Sequence, residues 1–567
     1  MKKNWSFDAV ELSFLNAIIK KFGLKRTIAN VILKRGFHDL DEVDDFLHPA
    51  LDKLPNPNLL KDLKKGAERI AKAIFEREKI AIYGDYDADG VTSTALLLLF
   101  LKDIGIESDF YIPDRLKEGY GLNKEAIDYL KSKGVDLVIT VDCGINGNDA
   151  VEYGKKIGID FIITDHHVPG EKLPDAEAVI NPKRKDCDFP FKELAGVGVA
   201  FYLLIELRKT LREWGFFRNA PEPNLKQYLD LVAIGTIADL VPLLGPNRIF
   251  VKYGLSEINR TRKKGLIALR EELLIDTLDV KSISFRIAPR INASGRVSSP
   301  VEALKLLLTS NEEKAKLLVK QLHKNNSQRQ KFEENVLSEA IELIEKEPER
   351  LSYCLYSPDW HLGVLGIVAG KLVDKYKKPC FVLTRLEDGL IKGSGRSIEG
   401  FPLDEAMVNM RNLLVEYGGH KLACGVTLLE KNLEKFSEGL ERIAKKILSN
   451  NQFCQIYNID SYLEVEEIDN VFFEQLDMLE PFGMGNPEPI FLMDNVEVIN
   501  FRYVGSKENH LKLFLKKNNL SFNAIGFYLG NDGISVNSKL DLIGVPKKTE
   551  YNGQKKWDFY VKDYDLK

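Results

Sequence analysis

The sequence predicts an α/β protein: a doubly wound parallel sheet, then a long connecting helix, a second α/β domain and a C-terminal β-barrel of the OB-fold type. The first observation is that short strands, apolar throughout, alternate with helices from about residue 79, as in KIAIYGD, VDLVITVD and IDFIITDHH. Such strands are typical of a parallel sheet whose two faces are both covered by helices. The second observation is the length of 567 residues, because one hydrophobic core stops growing at roughly 250–300 residues.

The elements fall into five consecutive segments. Apolar residues at every third or fourth position, among them Phe332, Val336 and Ile344, predict the long connecting helix. Short alternating strands such as VEVINFRYV and HLKLFLK predict the barrel. We expect an N-terminal helical segment at 1–60, the parallel-sheet domain at 61–300, the connecting helix at 301–348, the second α/β domain at 349–450 and the barrel at 451–567.

Composition and charge limit the class of protein without naming a function. The 44% of hydrophobic and 29% of charged residues are ordinary for a soluble globular protein. The longest apolar run, Ala95–Leu101, is far shorter than the roughly 20 residues that span a bilayer, so we expect no membrane partner. The start, MKKNWSFDAVELSF, lacks the apolar core of a signal peptide, which predicts a cytoplasmic protein. With a net charge of only −4, any nucleic-acid surface must be local.

Three aspartates stand at alternate positions in the sequence YGDYDADGVTS, between a predicted strand and a predicted helix: Asp85, Asp87 and Asp89. Carboxylates this close repel one another unless a cation neutralises them. A solvated acidic turn is the plain alternative for this motif alone. A calcium loop of the EF-hand type is excluded because Leu96 stands where its bidentate glutamate would be.

Further candidate ligands follow the next strands of the predicted sheet. Asp142 ends one strand, Asp165, His166 and His167 end another, and Asp239 ends an apolar helical stretch. The carboxyl ends of parallel strands open into one crevice, so these side chains can meet there. Oxygen and imidazole ligands suit Mn²⁺ or Mg²⁺, and the number of acids predicts two ions bridged by a carboxylate such as Asp142. Two such ions favour in-line displacement at phosphorus, which predicts phosphoester hydrolysis.

At these residues the chain resembles the DHH phosphoesterase superfamily, whose signature is the triplet at 165–167. Five later motifs resemble its bacterial RecJ branch of single-stranded-DNA-specific exonucleases. They are RIAPRINASGR at 286–296, HLGVLGIVAG at 361–370, GSGRS at 393–397, GGHKLACG at 418–425 and PFGMGNPEP at 481–489. The resemblance runs from about residue 75 to the C-terminus in the family's order.

The resemblance implies a 5′→3′ exonuclease that hydrolyses single-stranded DNA to 5′ mononucleotides with two Mn²⁺ or Mg²⁺ ions, in DNA recombination and repair. It places a DHH catalytic domain first and a DHHA1 substrate-binding domain after the connecting helix. Catalysis would fall to Asp142, His166 and His167, with His167 facing the phosphate. The implied metal ligands are Asp85, Asp87, Asp89, Asp142, His166 and Asp239. The chain departs from many relatives at Tyr83, where they carry a histidine, so we expect the first ion to be held less tightly.

The resemblance also implies a DNA-binding set outside the acids. Ser394 and Arg396, which we expect in a tight loop, would bind the 5′ phosphate together with Arg115. The GSGR motif alone is a weak signal, more often a plain turn. The remaining residues of the set are His361 and His420 on the substrate side, and Arg290, Asn292 and Arg296 at the scissile phosphate.

Aromatic residues among lysines in the barrel predict stacking of unpaired bases, although about half of these rings must fill the barrel core. They are Tyr503, Phe514, Phe522, Phe527 and Tyr528. Single-stranded DNA is therefore the expected partner. The resemblance adds a single-strand-binding protein and a helicase as implied protein partners.

Two other functions remain open on the sequence. A DHH phosphodiesterase or pyrophosphatase for small substrates would use the same metals without needing the barrel. A non-catalytic replication or repair scaffold would keep the fold but lose the metal acids, which are intact here. Incubation with Mn²⁺ and end-labelled single strands, duplexes, dinucleotides and pyrophosphate would separate the three.

Overall fold

The computed structural model describes residues 4–6, 11–115, 117–386, 389–448, 456–505, 508–529, 533–551 and 554–567. Apart from Met1, the chain divides into two compact units. The larger unit consists of Pro55–Asp239 and Tyr253–Cys454, and the smaller one of Lys2–Leu54, Leu240–Lys252 and Gln455–Lys567. The finer segment boundaries expected from the sequence stay predictions.

The larger unit begins with a five-stranded sheet in which every neighbouring pair is parallel. In spatial order its strands are Asp109–Tyr111, Ile80–Gly84, Leu137–Val141, Asp160–Thr164 and Ala178–Ile180. Helices Lys124–Ser132 and Asn148–Lys156 share a core with one face of the sheet. Helices Leu63–Glu76, Ala88–Asp103 and Gly196–Glu213 contact its strands as well. The predicted doubly wound α/β fold is therefore confirmed, since a parallel sheet needs helices on both faces to bury its apolar strands.

A helical layer follows this sheet. Its members are Leu229–Ala238, Lys264–Glu272, Val280–Ser282, a π-helix at Ile283–Ile287, Ala288–Val297, Val301–Leu308 and the connecting helix Glu312–Lys346. Helix Gly245–Asn259 is divided between the units, since its residues up to Lys252 belong to the smaller one. The connecting helix is a single element of 35 residues, in agreement with its predicted spacing. Among the described residues, no helix combines the length and hydropathy that crossing a bilayer requires.

The second α/β region of the larger unit is a mixed sheet of five strands. In spatial order they are Leu414–His420, Ala423–Leu429, Leu390–Arg396, Cys380–Arg385 and Tyr353–Tyr356, and the helices are Leu365–Tyr376, Leu403–Asn409 and Leu433–Ile447.

The expectation of a tight loop at GSGR was wrong, because the motif lies in the strand Leu390–Arg396. Its glycines are explained by close packing against the neighbouring strand Cys380–Arg385. A Cβ on Gly393 would lie 2.3 Å from the Leu383 side chain, and one on Gly395 would lie 2.5 Å from the Phe381 ring. The motif is therefore part of a strand in which the neighbouring strand leaves no room for a side chain at positions 393 and 395.

The smaller unit contains a closed five-stranded barrel, which confirms the predicted OB-fold. Its strands are Phe491–Val504, His510–Lys517, Leu520–Phe527, Lys539–Tyr551 and Gln554–Leu566, and the first pairs with the fourth to close it. Two short pieces, Ser461–Tyr462 and the pair Asn4–Ser6 with Ile456–Asn458, add to the strands. The helices are Leu12–Phe22, Arg26–Leu33, Leu40–Leu47 and Asn470–Asp477.

One hydrophobic core joins the N-terminal helices to the barrel. Ile18, Ile28 and Phe46 pack in the same buried cluster as Phe472 and Phe491. Deleting the barrel would therefore expose the apolar face of helices more than 400 positions away in sequence, so base stacking on the barrel is better tested by point substitutions.

Arg248 holds three parts of the smaller unit together. Its guanidinium is 1% exposed and donates to the carbonyls of Phe46, Met478 and Leu479 at 2.8, 2.9 and 3.1 Å. It also lies 4.0 Å from the centroid of the Phe46 ring. Burial lowers the pKa of Arg248 to about 9. These carbonyls come from distant segments, and Arg248 is the shared donor that satisfies them.

Replacing Arg248 by Met is expected to destabilise the protein by at least about 3 kcal/mol, since it leaves three buried acceptors unpaired and each costs about 1–3 kcal/mol. Urea denaturation followed by circular dichroism measures the loss. Arg502→Met, at an exposed arginine of the same unit, is the matched control and should change stability by less than about 0.5 kcal/mol. Equal stabilities for the two variants would contradict the role given to Arg248.

Candidate metal centre and phosphate pocket

The first acidic residues lie in a tight strand-to-helix loop. Asp85 follows the strand Ile80–Gly84, and Asp87 caps the next helix by accepting from the amides of Asp89 and Gly90 at 2.9 and 3.1 Å. A Cβ on Gly90 would lie 2.5 Å from the Asp85 carbonyl oxygen, so glycine is required for this close approach. The loop thereby holds three carboxylates at the carboxyl end of a central strand.

Asp142 sits directly after the strand Leu137–Val141 in the left-handed region, with φ of 60°. This backbone conformation is unfavourable for a residue other than glycine, and residues strained in this way are found mostly at functional sites. Its carboxylate faces Gly196, where a Cβ would come within 2.6 Å of Oδ1. The left-handed backbone at Asp142 directs its carboxylate into the crevice, and the absence of a side chain on Gly196 leaves room for it there.

Asp165 organises the loop that carries the two histidines. Its Oδ1 accepts from the amides of His166 and His167 at 2.7 and 3.0 Å, and its Oδ2 accepts from the Ile145 amide at 2.9 Å. The Nδ1 of His167 lies 2.7 Å from the same Oδ1. Burial opposes ionisation of Asp165, but the bonds to His167 and the charges of the two histidines together hold the pKa of Asp165 below its usual value. Asp165 is thus a positioning residue for its neighbours.

The ligand atoms converge into three overlapping groups, each with all its atoms within 4.8 Å of one another. The groups are Asp85, Asp87 and Asp142; Asp142, His166 and His167; and Asp89, His166 and Asp239. Nε2 of His166 lies 3.1 Å from Oδ1 of Asp142 and 3.5 Å from Oδ2 of Asp239. The structure therefore brings together all six residues predicted as metal ligands, and His167 with them.

The chemistry of the cluster fits divalent cations. Asp85 Oδ1, Asp142 Oδ1 and both ring nitrogens of His166 are buried and have no hydrogen-bond partner among the described residues. Burial and the neighbouring aspartates raise the pKa values of Asp85, Asp142 and Asp239 well above the usual range. Burial likewise lowers the pKa of His166 to about 3, which leaves the imidazole neutral and able to bind a metal. Buried ligand atoms without partners are what bound cations would satisfy.

Asp89 is held by a helix terminus as well. Its two carboxylate oxygens accept from the amides of Gly196 and Val197 at 2.6 and 2.9 Å, at the start of helix Gly196–Glu213. Burial and Asp87 raise the pKa of Asp89 to about 7 in spite of these bonds.

Metal-free protein is therefore expected to lose stability as pH rises towards about 7. The folded pKa of Asp89 lies above its ordinary value of 3.8, so the folded state binds this proton more tightly and its advantage fades as pH passes the folded pKa. Melting temperatures in EDTA at pH 5.5 and pH 8 measure the effect. Subtracting the same values for Asp89→Asn isolates this residue, and Mn²⁺ should restore stability at pH 8. If the fall in melting temperature between pH 5.5 and pH 8 were no larger for the wild type than for Asp89→Asn, Asp89 would not be the source of the pH dependence.

Tyr83 does not take the place of a histidine ligand. Its hydroxyl donates to the Gly121 carbonyl at 2.9 Å, and its ring stacks on Tyr111. Whether the first ion is held less tightly stays a prediction.

A cationic cleft of about 610 Å³ adjoins the metal loop. Nη1 of Arg396 donates to the Ser394 hydroxyl at 3.0 Å, and Arg296 donates to the Gly363 carbonyl at 3.1 Å. Burial, and then the charge of Arg115, lower the pKa of Arg296 to about 9. The charged and hydroxyl-bearing residues that line the cleft are Tyr86, Arg115, Tyr120, Arg296, Lys371, Asp374, Lys392, Ser394 and Arg396. With five cations and one acid, the cleft suits a phosphate.

The cleft and the metal groups share one loop. Tyr86 lines the cleft, lies under the Arg115 guanidinium at 5.0 Å, and stands between Asp85 and Asp87 in sequence. A phosphate held by the arginines is therefore placed next to the acids. Sequence reasoning missed Tyr86, Tyr120, Lys371 and Lys392. Tyr86 stands inside YGDYDADGVTS, and the two lysines stand directly beside the motifs at 361–370 and 393–397, which is the sequence signal that could have found them.

Four residues predicted to bind DNA are not among those that line this cleft. Asn292 accepts from the Ala88 amide at 2.7 Å and so supports the metal loop. Arg290 contacts the Arg286 carbonyl and His323, and His361 stacks on Phe332 with ring centroids 4.5 Å apart. His420 is exposed at the end of strand Leu414–His420. Their roles in DNA binding stay predictions.

Known domains correspond to these regions. Residues 79–236 match the DHH family, N-terminal domain, residues 350–446 match the DHHA1 domain, and residues 459–563 match the RecJ OB domain. A parallel-sheet domain with acids at its strand ends, followed by a DHHA1 domain, defines a protein of the DHH class.

Relatives that match most of this chain identify the family within the DHH class. The single-stranded-DNA-specific exonuclease RecJ of Bacillus subtilis is 37% identical over 99% of this chain and 71% of that protein. The exonuclease of the same name from Escherichia coli is 37% identical over 81% of both chains. The crystal structure of RecJ from Thermus thermophilus in complex with Mn²⁺ superposes with a TM-score of 0.85 at 31% identity, covering 99% of this chain and 79% of that one. The chain belongs to the RecJ family.

Proposed function

We propose that the protein is a metal-dependent 5′→3′ exonuclease that hydrolyses single-stranded DNA to 5′ mononucleotides. The observation that carries this proposal is the shared loop at 85–87, which borders both the metal ligands and the arginine-lined cleft. A strand whose 5′ phosphate is bound by Arg115, Ser394 and Arg396 has its first phosphodiester close to the acids. The names of the relatives, and the Mn²⁺ and Mg²⁺ in the Thermus structures, support the substrate and the cofactor.

Different residues of the chain would bind the metal ions and contact the phosphate. Asp85, Asp87, Asp89, Asp142, His166 and Asp239 would hold two Mn²⁺ or Mg²⁺ ions. Bound divalent ions lower the pKa of coordinated water and neutralise charge on the phosphate. The bond from Nδ1 of His167 to Asp165 leaves Nε2 as the nitrogen that can contact the phosphate. Although burial opposes it, that bond raises the pKa of His167 and favours its cationic form.

The barrel supports a preference for long single strands. Phe514, Phe527 and Tyr528 are 43%, 48% and 77% exposed, and the His510 ring lies 5.2 and 4.8 Å from the last two. Phe522, by contrast, is buried in the core. Exposed rings of this kind stack on unpaired bases, worth about 1–3 kcal/mol per base, and a duplex does not offer such bases.

Digestion of strands labelled at either end tests the proposal. With Mn²⁺, a 5′ label should appear at once as mononucleotide, while a 3′ label should pass through progressively shorter fragments. A blunt duplex should resist. Hydrolysis of pyrophosphate or of dinucleotides with no digestion of long strands would favour the small-substrate alternative, and no turnover on any of them would favour a scaffold.

The proposal extends to the cellular setting. A DNA substrate supports a cytoplasmic location, and the family resemblance supports a role in recombination and repair with a single-strand-binding protein and a helicase as partners. Co-purification with each purified partner, with and without single-stranded DNA, tests that extension.

A further inference from the structure

A second cavity lies in the larger unit. Its volume is about 650 Å³, and the residues around it come from positions 99–103, 224–230, 257–264 and 307–310. Cavities that bind small molecules usually have volumes of about 300–1,000 Å³. Among the described residues, none that lines it also lines the phosphate cleft or belongs to a metal-ligand group. The cavity is therefore separate from the candidate active site and large enough to hold a ligand of its own.

The cavity lies at the far ends of two helices that meet the metal centre. Helix Ala88–Asp103 carries Asp89 in its first turn, and its last turn borders the cavity. Helix Leu229–Ala238 is followed by Asp239, and its first turn borders the cavity. At about 1.5 Å per residue, the two helices are roughly 24 and 15 Å long. A small ligand in the cavity is therefore too far away to contact the metal ions.

The lining of the cavity carries more cations than acids. The cations are Lys102, Arg260, Arg262, Lys263 and Lys264, and the acids are Asp103, Asp230 and Glu257. Nζ of Lys263 lies 2.8 Å from both carboxylate oxygens of Asp230, which is 1% exposed. Arg260 pairs with Glu257. Once these two pairs are set aside, three cations face one remaining acid.

The three remaining cations have few partners of their own. Lys102 and Arg262 are exposed, and their side chains have no hydrogen-bond or ion-pair partner in the described part of the chain. Lys264 lies 3.5 Å from Glu312, which pairs more closely with Lys316, at 2.9 Å. Such a group of cations attracts anions, and it attracts a dianion more strongly than a single charge. The charge of the cavity therefore favours a phosphate group.

Apolar side chains border these cations. Leu99, Leu307 and Leu308 line the same cavity. Leu99 and Lys102 are three positions apart on one helix, so they lie on the same face and place apolar surface beside a cation without a partner. A ligand that uses both features has a phosphate at one end and a ring system at the other, as a nucleotide does. Because four segments of the chain surround the cavity, it suits a single nucleotide better than an extended strand.

We propose that this cavity binds a nucleoside 5′-monophosphate, whose phosphate contacts Lys102 and Arg262 and whose base packs against Leu99 and Leu307. Mononucleotides are the product of the proposed reaction, so in its choice of ligand this inference rests on the proposed function. The binding itself needs neither metal nor turnover. The site gives the protein a second contact with its product, at a distance from the metal ions.

Equilibrium dialysis of the full chain against thymidine 5′-monophosphate in EDTA tests the cavity without hydrolysis. The wild type should bind two molecules, one in the arginine-lined cleft and one in the cavity. The double variant Lys102→Ala with Arg262→Ala should bind the second molecule about a hundredfold more weakly, since each charged contact with a phosphate is worth about tenfold or more. Arg396→Ala should lose only the molecule in the cleft.

Lys305→Ala with Arg218→Ala removes two exposed cations of the larger unit that are not among the lining residues, and this control should bind both molecules as the wild type does. Inorganic phosphate should bind the cavity at least about tenfold more weakly than the nucleotide, because it buries no apolar surface against the leucines. Unchanged nucleotide binding in the double variant would overturn the site, and so would phosphate binding as tight as that of the nucleotide. If the wild type binds both molecules but digests no single strand with Mn²⁺, the proposed function falls while the cavity site stands.

Discussion

Asp142→Asn is expected to reduce Mn²⁺-dependent hydrolysis of single-stranded DNA by about a thousandfold or more, while the fold remains intact. Asp142 is the carboxylate shared by two of the three ligand groups, so its loss affects both ions. Metal ions stabilise several kcal/mol of transition-state charge in such reactions, and each 1.36 kcal/mol is worth about tenfold in rate. Asparagine is the suitable replacement because it tolerates the left-handed backbone at this position better than alanine.

The same substitution should raise the melting temperature in EDTA. Burial and the neighbouring aspartates oppose ionisation of Asp142, so replacing its carboxyl by a neutral amide removes that cost when no cation is bound. Mn²⁺ should then stabilise the variant less than it stabilises the wild type. Asp149→Asn, at an exposed position in the first turn of helix Asn148–Lys156, is the control and should match the wild type in both assays. Full activity of Asp142→Asn in excess Mn²⁺ would show that Asp142 does not bridge two ions.

Arg396→Ala is expected to weaken binding of 5′-phosphorylated strands ten- to a hundredfold, with little effect on 5′-hydroxyl strands. Arg396 lines the cleft and is bonded to Ser394, and the nearby charge of Arg115 adds to the attraction for a dianion. A hydrogen bond between charged groups is worth about 1.5–3 kcal/mol, which corresponds to that range of affinity.

Competition between the two strands for the same protein measures this difference directly. Arg411→Ala, an exposed arginine of the same α/β region, should leave the preference unchanged. An equal loss for both strands would mean that Arg396 contacts the DNA backbone at large, and the 5′ end would then be bound elsewhere.

The clustering of the candidate metal ligands could be predicted from sequence because it depends on local rules. Asp85, Asp142 and His166 each follow a buried strand, and the carboxyl ends of parallel strands meet at one edge. The α/β alternation itself was readable for the same reason, since strands buried on both faces are apolar throughout. The six predicted ligands therefore gather as expected.

The positions of other residues depend on geometry that sequence does not display. Arg290 and Arg296 share one motif, but six residues turn a helix by about 240°, so they point in different directions. The glycines of GSGR are typical of a turn, but in the structure they are needed because Phe381 and Leu383 of the neighbouring strand pack directly against them. The contact of Arg248 with Met478 joins segments 230 positions apart, which no local pattern reveals.

Anomalous diffraction from crystals grown with Mn²⁺ tests the central claim most directly, namely that the strand-end acids and His166 form a two-ion centre. The account predicts two anomalous peaks about 3.5–4 Å apart. One should be bound by Asp85, Asp87 and Asp142, and the other by Asp89, Asp142, His166 and Asp239. A single peak at saturating Mn²⁺, or peaks away from these side chains, would contradict the account.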